Sequence, residues 1–441
     1  MKSISVRYSV VFLLMLVTTI FFGGRSILSI SGSDLSKDLQ LSTVQLGYLF
    51  SSFSLTYVLF QIPCGLLLDK IKTKYLYLCF LIFWSVVSLG TFFVTFIPNS
   101  FFIFPALIVF RLLAGLFEAP IFPANSRIVS GWFPKHEISF ASAIFASSQY
   151  LSIFVCSPII AWVTYHQGWQ FNFLYLGSAA LLLGIILKYW LHSPKDHPFI
   201  SQTELDYLDQ HLAVKTESAE VEQSSVRERI TFLLTNRTML GVCLGQYCMN
   251  AITFFFLTWF PLYLIEVKGM SLVSVGIMAS IPALFGFFGN LCAGLVSDRM
   301  VKLGFSIAKA RKLPIIVGMM FSTFMLFSLF TDSPVLIVVF MSFAFFGKGF
   351  SSLGWTIVAD IAPKPLYGLC SGIFNTAGNL SGIITPIIIA YLIDMTGLFD
   401  VAVYITGLHA LIAIACFVWF VGDLDKIEYP AYSKAKGYSV S

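Results

Sequence analysis

The chain has 441 residues, of which 57% are hydrophobic and only 11% charged, whereas soluble domains carry roughly 25% charged residues. A water-soluble fold cannot hide so much apolar surface, which excludes soluble enzymes and binding modules as classes. The formal net charge of +5 does not point to nucleic acid, because the basic residues sit in short loops between apolar runs, where they orient a membrane protein.

A bilayer core about 30 Å thick takes roughly 20 apolar residues per helix. Such runs follow one another along the chain, and they are continuous rather than alternating, which excludes a β-barrel. In chain order the predicted spans are 9–31, 45–68, 75–97, 102–125, 140–164 and 169–191, then 239–264, 272–295, 314–331, 335–359, 368–392 and 401–421. The expectation is an all-α membrane protein with twelve transmembrane helices. The opening segment MKSISVRYSVVFLLMLVTTIFFGG has a basic start, but its apolar run is too long for a signal peptide and lacks an A-x-A-like site. It is read as a permanent first span inserted directly into a cell membrane, inner or plasma.

Loop charges alternate. Lys2 and Arg7, then Lys70, Lys72 and Lys74, then Arg127 and Lys135 fall on one side, as do Arg299, Lys302, Lys309, Arg311 and Lys312, and finally Lys434 and Lys436. The other side has only Lys37 and Lys268. By the positive-inside rule both termini are expected to be cytoplasmic, which an even number of spans satisfies.

The longest polar stretch, 192–237, contains SPKDHPF, an acidic segment from Glu204 to Asp209, and TESAEVEQSSVRER. It divides six spans from six, giving an N-terminal half (1–191), a central cytoplasmic loop (192–237), a C-terminal half (238–421) and a cytoplasmic tail (422–441). Part of the loop has the pattern of an amphipathic surface helix, although a plain linker is its simpler reading. The halves share a repeat, since Gly65-Leu66-Leu67-Leu68-Asp69-Lys70 ends the second span and Gly294-Leu295-Val296-Ser297-Asp298-Arg299 ends the eighth. Asp69, Lys70, Asp298 and Arg299 are therefore candidate gating residues of two pseudo-symmetric halves whose rocking exposes a midplane site to either side.

The eight cysteines all lie in apolar spans without a CxxC pair and read as small core residues, with no metal site and no disulfide framework. Charges at bilayer depth are a different matter, costing about 2.5–3.5 kcal/mol each on the insertion scale. Four stand out: Arg25, Arg111, Glu118 and Lys348. Arg111 and Glu118 are two helical turns apart, so they share one helix face at a separation of about 10.5 Å. Mutual neutralisation is the structural alternative for any one of them, but three cations against one carboxylate leave a positive surplus. An arginine fork suits a carboxylate or phosphate, so a small organic anion is the expected substrate. Lys348 reads equally well as a snorkelling or carbonyl-bound lysine. Burial and the nearby arginine pull the charge state of Glu118 in opposite directions, which suits a group that carries a proton alongside an anion. Tyr57, Gln149, Gln246, Tyr247, Asn250, Trp355, Asn375 and Asn379 could read hydroxyls, though singly each is more often helix-packing glue. The Gly-rich stretches have no strand–loop–helix context, so an ATP-driven pump is disfavoured.

The turn Gly65-Leu66-Leu67-Leu68-Asp69-Lys70-Ile71-Lys72-Thr73-Lys74 resembles the G-x-L-x-D-[RK]-x-G-x-[RK] signature of the major facilitator superfamily, with Lys72 at the usual glycine. The stretches RLLAGLFEAPIFPANSRIVSGWFP (111–134), GQYCMNAITFFFLTWFPLYL (245–264), FFGKGFSSLGWTIVADIAPK (345–364) and GIFNTAGNLSGIITPI (372–387) are similar to the anion:cation symporter family. The nearest likeness is to bacterial proton-coupled glucarate, galactarate and galactonate permeases, with sialin-like and vesicular glutamate carriers as distant relatives. The resemblance implies the major facilitator fold, no cofactor, a monomer, and import of a sugar acid with protons. It further implies that Arg25, Tyr57, Gln149, Gln246, Trp355 and Asn375 contact substrate and that Arg111 and Glu118 form the coupling pair. One departure matters. The family commonly reads N-Y-x-D-R where this chain reads Phe21-Phe22-Gly23-Gly24-Arg25, so the acid beside the arginine is missing and Arg25 is expected to lack an adjacent counter-charge.

Rival readings are an organic phosphate/anion exchanger, which also uses paired arginines, and a transporter-like metabolite receptor, for which the central loop offers no output domain. Multidrug export would want a G-x-x-x-G-P-x-x-G-G pattern in the fifth span, absent from SSQYLSIFVCSPIIAW. A membrane-embedded enzyme is disfavoured, because no His/Asp metal set or Ser/His/Asp arrangement is evident and His409 reads as a packed histidine.

Overall fold

The computed structural model describes residues 6–97, 100–134, 137–212, 225–363, 366–425 and 427. Lys2, Lys135, Lys434 and Lys436, together with most of the expected tail and the side chains of Asp69 and Lys70, lie outside the described residues.

Among the described residues twelve helices are long and apolar enough to cross a membrane. Spans 1 to 6 are Val6–Ile30, Thr43–Gln61, Thr73–Phe93, Ile103–Trp132, Ile144–Gln167 and Gln170–Trp190. Spans 7 to 12 are Arg237–Thr258, Leu272–Lys302, Ile307–Phe330, Pro334–Ile361, Tyr367–Thr396 and Asp400–Phe420. Among the described residues no strand occurs. Two boundaries differ instructively from the hydropathy reading. Span 9 begins seven residues before position 314, at Ile307, because Ser306 caps it by accepting the Lys309 amide at 3.4 Å, so the basic turn is helical rather than loop. Span 7 stops at Thr258, and Pro261, which has no amide hydrogen to donate, starts the separate helix Phe260–Glu266.

The chain forms two compact units. The first comprises Met1–Lys215, Leu257–Ser280 and Pro386–Asp394; the second comprises Thr216–Phe256, Ile281–Thr385 and Met395–Ser441. Inside the first unit the later segments are held by specific contacts. Ser33 donates to Glu266 Oε1 at 2.5 Å, the hydroxyls of Tyr48 and Tyr391 lie 2.5 Å apart, and Trp259 meets Phe50 edge to face at 5.4 Å.

The beginning of the central loop is folded onto the first unit rather than serving as a plain spacer. His197 is wedged against Trp132 and Trp190, with ring centroids 5.5 and 5.3 Å away. The helix Gln202–Leu212 presents Glu204, which accepts the unpaired first-turn amides of Val6 and Arg7 at 3.1 and 3.2 Å, the usual need of a helix N-terminus. Arg7 bonds Glu137 at 2.7 Å, and Tyr207 donates to the same carboxylate at 2.9 Å. The plain-linker reading is thus corrected at this end of the loop, where the alternative of a surface helix describes Gln202–Leu212. All eight cysteines are free. Six are buried as expected of core residues, whereas Cys79 is exposed and Cys292 half-buried, because each lies on the outward side of its helix.

Candidate functional site

The charged cluster is assembled in the first unit from spans 1, 2, 3 and 4. Leu107, Arg111, Gly115 and Glu118 recur at three- and four-residue spacing and are all buried, so span 4 turns one face inward as the spacing predicts. Span 2 can approach that face closely because residue 115 is glycine: a Cβ there would fall on the carbonyl oxygen of Phe53 and the hydroxyl of Thr56. Thr56 locks the crossing by donating to the Leu112 carbonyl at 2.6 Å.

This crossing sets the partners of the charges. Glu118 Oε1 accepts from both Nε and Nη2 of Arg25, at 2.7 and 2.6 Å, while Glu118 Oε2 is buried with no hydrogen bond of standard geometry, the Trp84 indole being the uncharged group that acts on this carboxylate. Glu118 therefore supplies the counter-charge that sequence left Arg25 without. Among the described residues Arg111 makes one hydrogen bond, a long one of 3.5 Å from Nε to the Leu49 carbonyl. Aromatic faces complete the cage. The Arg25 guanidinium carbon lies 4.5, 4.7 and 4.7 Å from the ring centres of Phe22, Phe53 and Tyr57, and that of Arg111 lies 5.1 Å from Phe53. The Phe53 ring thus contacts both guanidinium groups, an electrostatically favourable placement.

Arg25, Arg111 and Glu118 line one cavity of about 20 Å³, with Gly24, Phe53 and Trp84 among its walls. That volume suits a water molecule, not a sugar. Two cations face one carboxylate across it, so the cluster keeps a net positive charge. The missing family acid has a steric counterpart: a Cβ on Gly24 would lie 2.7 Å from Trp84 Cζ2. The indole fills the space that an aspartate would need, and it is itself held edge to face against Phe21 at 4.6 Å. Gln149 is half-buried on span 5 and lines neither this cavity nor the smaller one bounded by Arg25, Tyr57 and Glu118.

The second unit carries the other expected contacts. Gln246 is buried and its Oε1 has no donor. Asn379 donates to the carbonyl and side-chain oxygens of Asn375 at 2.9 and 3.1 Å. Trp355 is 42% exposed and meets Phe374 edge to face at 4.9 Å. Of the gating candidates, Asp298 pairs with Arg311 at 3.5 Å, Arg311 also reaches Asp360 at 3.3 Å, and Arg299 is exposed. Arg311 is the hub of that turn, a role that its count as a loop charge did not reveal. Phe53, Trp84 and Gly115 were also missed. Gly115 had a signal, as a small residue on the same helix face as both charges, and Trp84 a weaker one, as an indole N–H in an apolar span.

Twelve candidate spans among the described residues, together with a buried, partly uncompensated ion cluster in the first unit, are the features of a polytopic membrane transporter. The chain belongs to the Major Facilitator Superfamily, whose family model matches residues 14–309 and 303–437. It is 42% identical over 432 residues to the "Probable galactarate/D-glucarate transporter GarP" of Escherichia coli (strain K12), covering 97% of both chains. It is 43% identical over 435 residues to the "Probable galactarate/D-glucarate transporter GudP" of Bacillus subtilis (strain 168), covering 97% and 94%. The "D-galactonate transporter" of Escherichia coli O6:H1 is 34% identical, with 96% and 97% covered. These relatives bear out the resemblance to sugar-acid permeases. Among solved structures, a D-xylose-proton symporter superposes with a TM-score of 0.70 at 13% identity, covering 95% of this chain and 99% of that one, which bears out the fold.

Proposed function

We propose that the protein is a secondary active transporter that imports a small sugar acid of the glucarate, galactarate or galactonate type by proton symport with alternating access. The observation that carries this reading is the shared cavity of Arg25, Arg111 and Glu118, and the names of the relatives support the substrate class. A proton taken up on Glu118 Oε2 removes the carboxylate's charge and so weakens its hold on Arg25, whose hydrogen bonds then run to a neutral carbonyl oxygen. The guanidinium, kept in place by three aromatic rings, then offers its fork to the substrate carboxylate. Loss of the proton after release restores the internal pair.

In this reading Arg111 keeps the cluster attractive to anions throughout, while Tyr57 and Gln149 in the first unit and Gln246, Trp355 and Asn375 in the second orient hydroxyls. The cluster cavity has room for no more than a water molecule, so helices must separate for a six-carbon anion to pass, and the turns bearing Asp69, Lys70, Asp298 and Arg299 govern that motion. The protein works as a monomer in the inner or plasma membrane with both termini cytoplasmic. In proteoliposomes an inward proton gradient drives galactarate accumulation, and Arg25→Ala abolishes it; transport by that variant at the wild-type rate contradicts the assigned role.

A further inference from the structure

A second cavity of the first unit shares no lining residue with the ion cluster. Its volume is about 540 Å³, within the roughly 300–1,000 Å³ of small-molecule sites. Its walls come from the start of span 3, the end of span 4 and the segment after span 6, all inside Met1–Lys215. Lys72, Lys74, Arg127 and His192 line it. Among the described residues one carboxylate lies on its wall, that of Asp196, and Ser193 donates to its Oδ2 at 2.5 Å. Three permanent cations against one carboxylate leave the cavity positive.

The backbone adds to this charge. Span 3 begins at Thr73 with Lys72 at its N-cap, where a side-chain oxygen ordinarily accepts a first-turn amide; a lysine has no acceptor to offer. The first-turn amides and the helix dipole make this end positive, yet Lys72 and Lys74 stand on it, although cations are favoured at the opposite end of a helix. Among the described residues neither lysine has an ion-pair partner. The other walls are fixed in place. Arg127 donates through Nη1 to the Leu68 carbonyl, and Trp132 donates to the His192 carbonyl at 3.2 Å, which holds the segment after span 6 against span 4. His192 Nδ1 is buried and has no hydrogen-bond partner among the described residues. A phosphate relieves the repulsion between the lysines and the helix end, and its several oxygens accept from lysine, amide and imidazole together.

The level of the cavity identifies where such a phosphate comes from. Tyr75, on its wall, is 63% exposed, and Tyr189, in the last turn of span 6, is 69% exposed. Exposed tyrosines at the ends of spans mark the headgroup level of a bilayer, and basic pockets between spans at that level take lipid headgroups. We propose that this cavity binds a phosphate group, carried by the headgroup of an anionic phospholipid.

The test follows the melting temperature of the purified protein in detergent as dioctanoyl phosphatidylglycerol, dioctanoyl phosphatidylcholine or inorganic phosphate is added. Phosphatidylglycerol raises it saturably in wild type, and the zwitterionic lipid and inorganic phosphate do not. In the double variant Lys72→Gln/Lys74→Gln the half-saturating concentration rises about thirtyfold, the scale of two basic residues at a lipid surface. Lys302→Gln/Lys309→Gln, which removes two exposed lysines of the second unit, keeps the wild-type value. Absence of any stabilisation, an unchanged value in the first double variant or an equal rise in both overturns the site. Equal stabilisation by phosphatidylcholine or by inorganic phosphate overturns the assignment to an anionic lipid. Should the first double variant fail to fold, wild type decides alone: phosphatidylglycerol with a photoreactive headgroup labels residues 72–75 or 191–196, and labelling confined to other segments is the contrary result.

Discussion

Glu118 and Arg25 form the ion pair at the centre of the first unit, with one carboxylate oxygen accepting from two guanidinium nitrogens at 2.7 and 2.6 Å. Arg111 shares a helix with Glu118 but is not its partner. Helix spacing puts Arg111 and Glu118 on one face without direct contact, and the structure gives the direct contact to Arg25; the coupling role of Arg111 and Glu118 that the resemblance implies remains a proposal.

The placement of this pair depends on the close crossing of spans 2 and 4. Gly115→Ala puts a methyl group onto backbone, which cannot yield as a side-chain tip can. Overpacking of this kind typically costs about 1–3 kcal/mol, so the purified variant melts several degrees below wild type in a fluorescence-monitored thermal scan. An unchanged melting temperature contradicts the tight crossing.

Restoring the family acid should fail for a steric reason. Gly24→Asp drives Cβ toward Trp84, whose ring is buried and braced by Phe21. The single variant loses thermal stability, and Trp84→Ala in the same chain recovers part of that loss. Additive losses in this double-mutant cycle would show that Trp84 does not occupy the acid's space.

The folded start of the central loop responds to acid. Burial, together with His192 and Lys74, holds the imidazole pKa of His197 below its ordinary 6.5, against a smaller opposing pull from the Trp190 backbone and Glu204. Since the folded pKa is depressed, the stabilisation is fully present above pH 6.5 and is lost as pH falls through the folded value. Hydrogen exchange of the amides of residues 195–197, 199 and 200, corrected for the intrinsic effect of pH, accelerates in acid for wild type and much less for His197→Phe. The same acceleration in both removes His197 from the explanation.

Much of the fold was legible because hydrophobic runs of bilayer length have few alternatives, and the face shared by Arg111 and Glu118 followed from helical spacing alone. What remained hidden were relationships between helices. No spacing rule joins Arg25 to Glu118, because their contact depends on how closely spans cross, and that was decided by Gly115 and Thr56. The absent acid at Gly24 was visible; its replacement by an indole from span 3 was not, since Trp84 lies in an apolar run where an aromatic ring ordinarily marks packing. The central loop read as a spacer because its anchors, His197 and Glu204, are polar residues whose partners lie far away in sequence.

The central claim is that Glu118 carries the proton that frees Arg25 for the anion. It is tested most directly by recording proton influx and labelled galactarate uptake together in proteoliposomes of wild type and Glu118→Gln. The account predicts coupled entry in wild type. In the variant, proton movement and accumulation are lost while exchange of internal for external galactarate persists. Accumulation by Glu118→Gln with the wild-type ratio of protons to galactarate would contradict it.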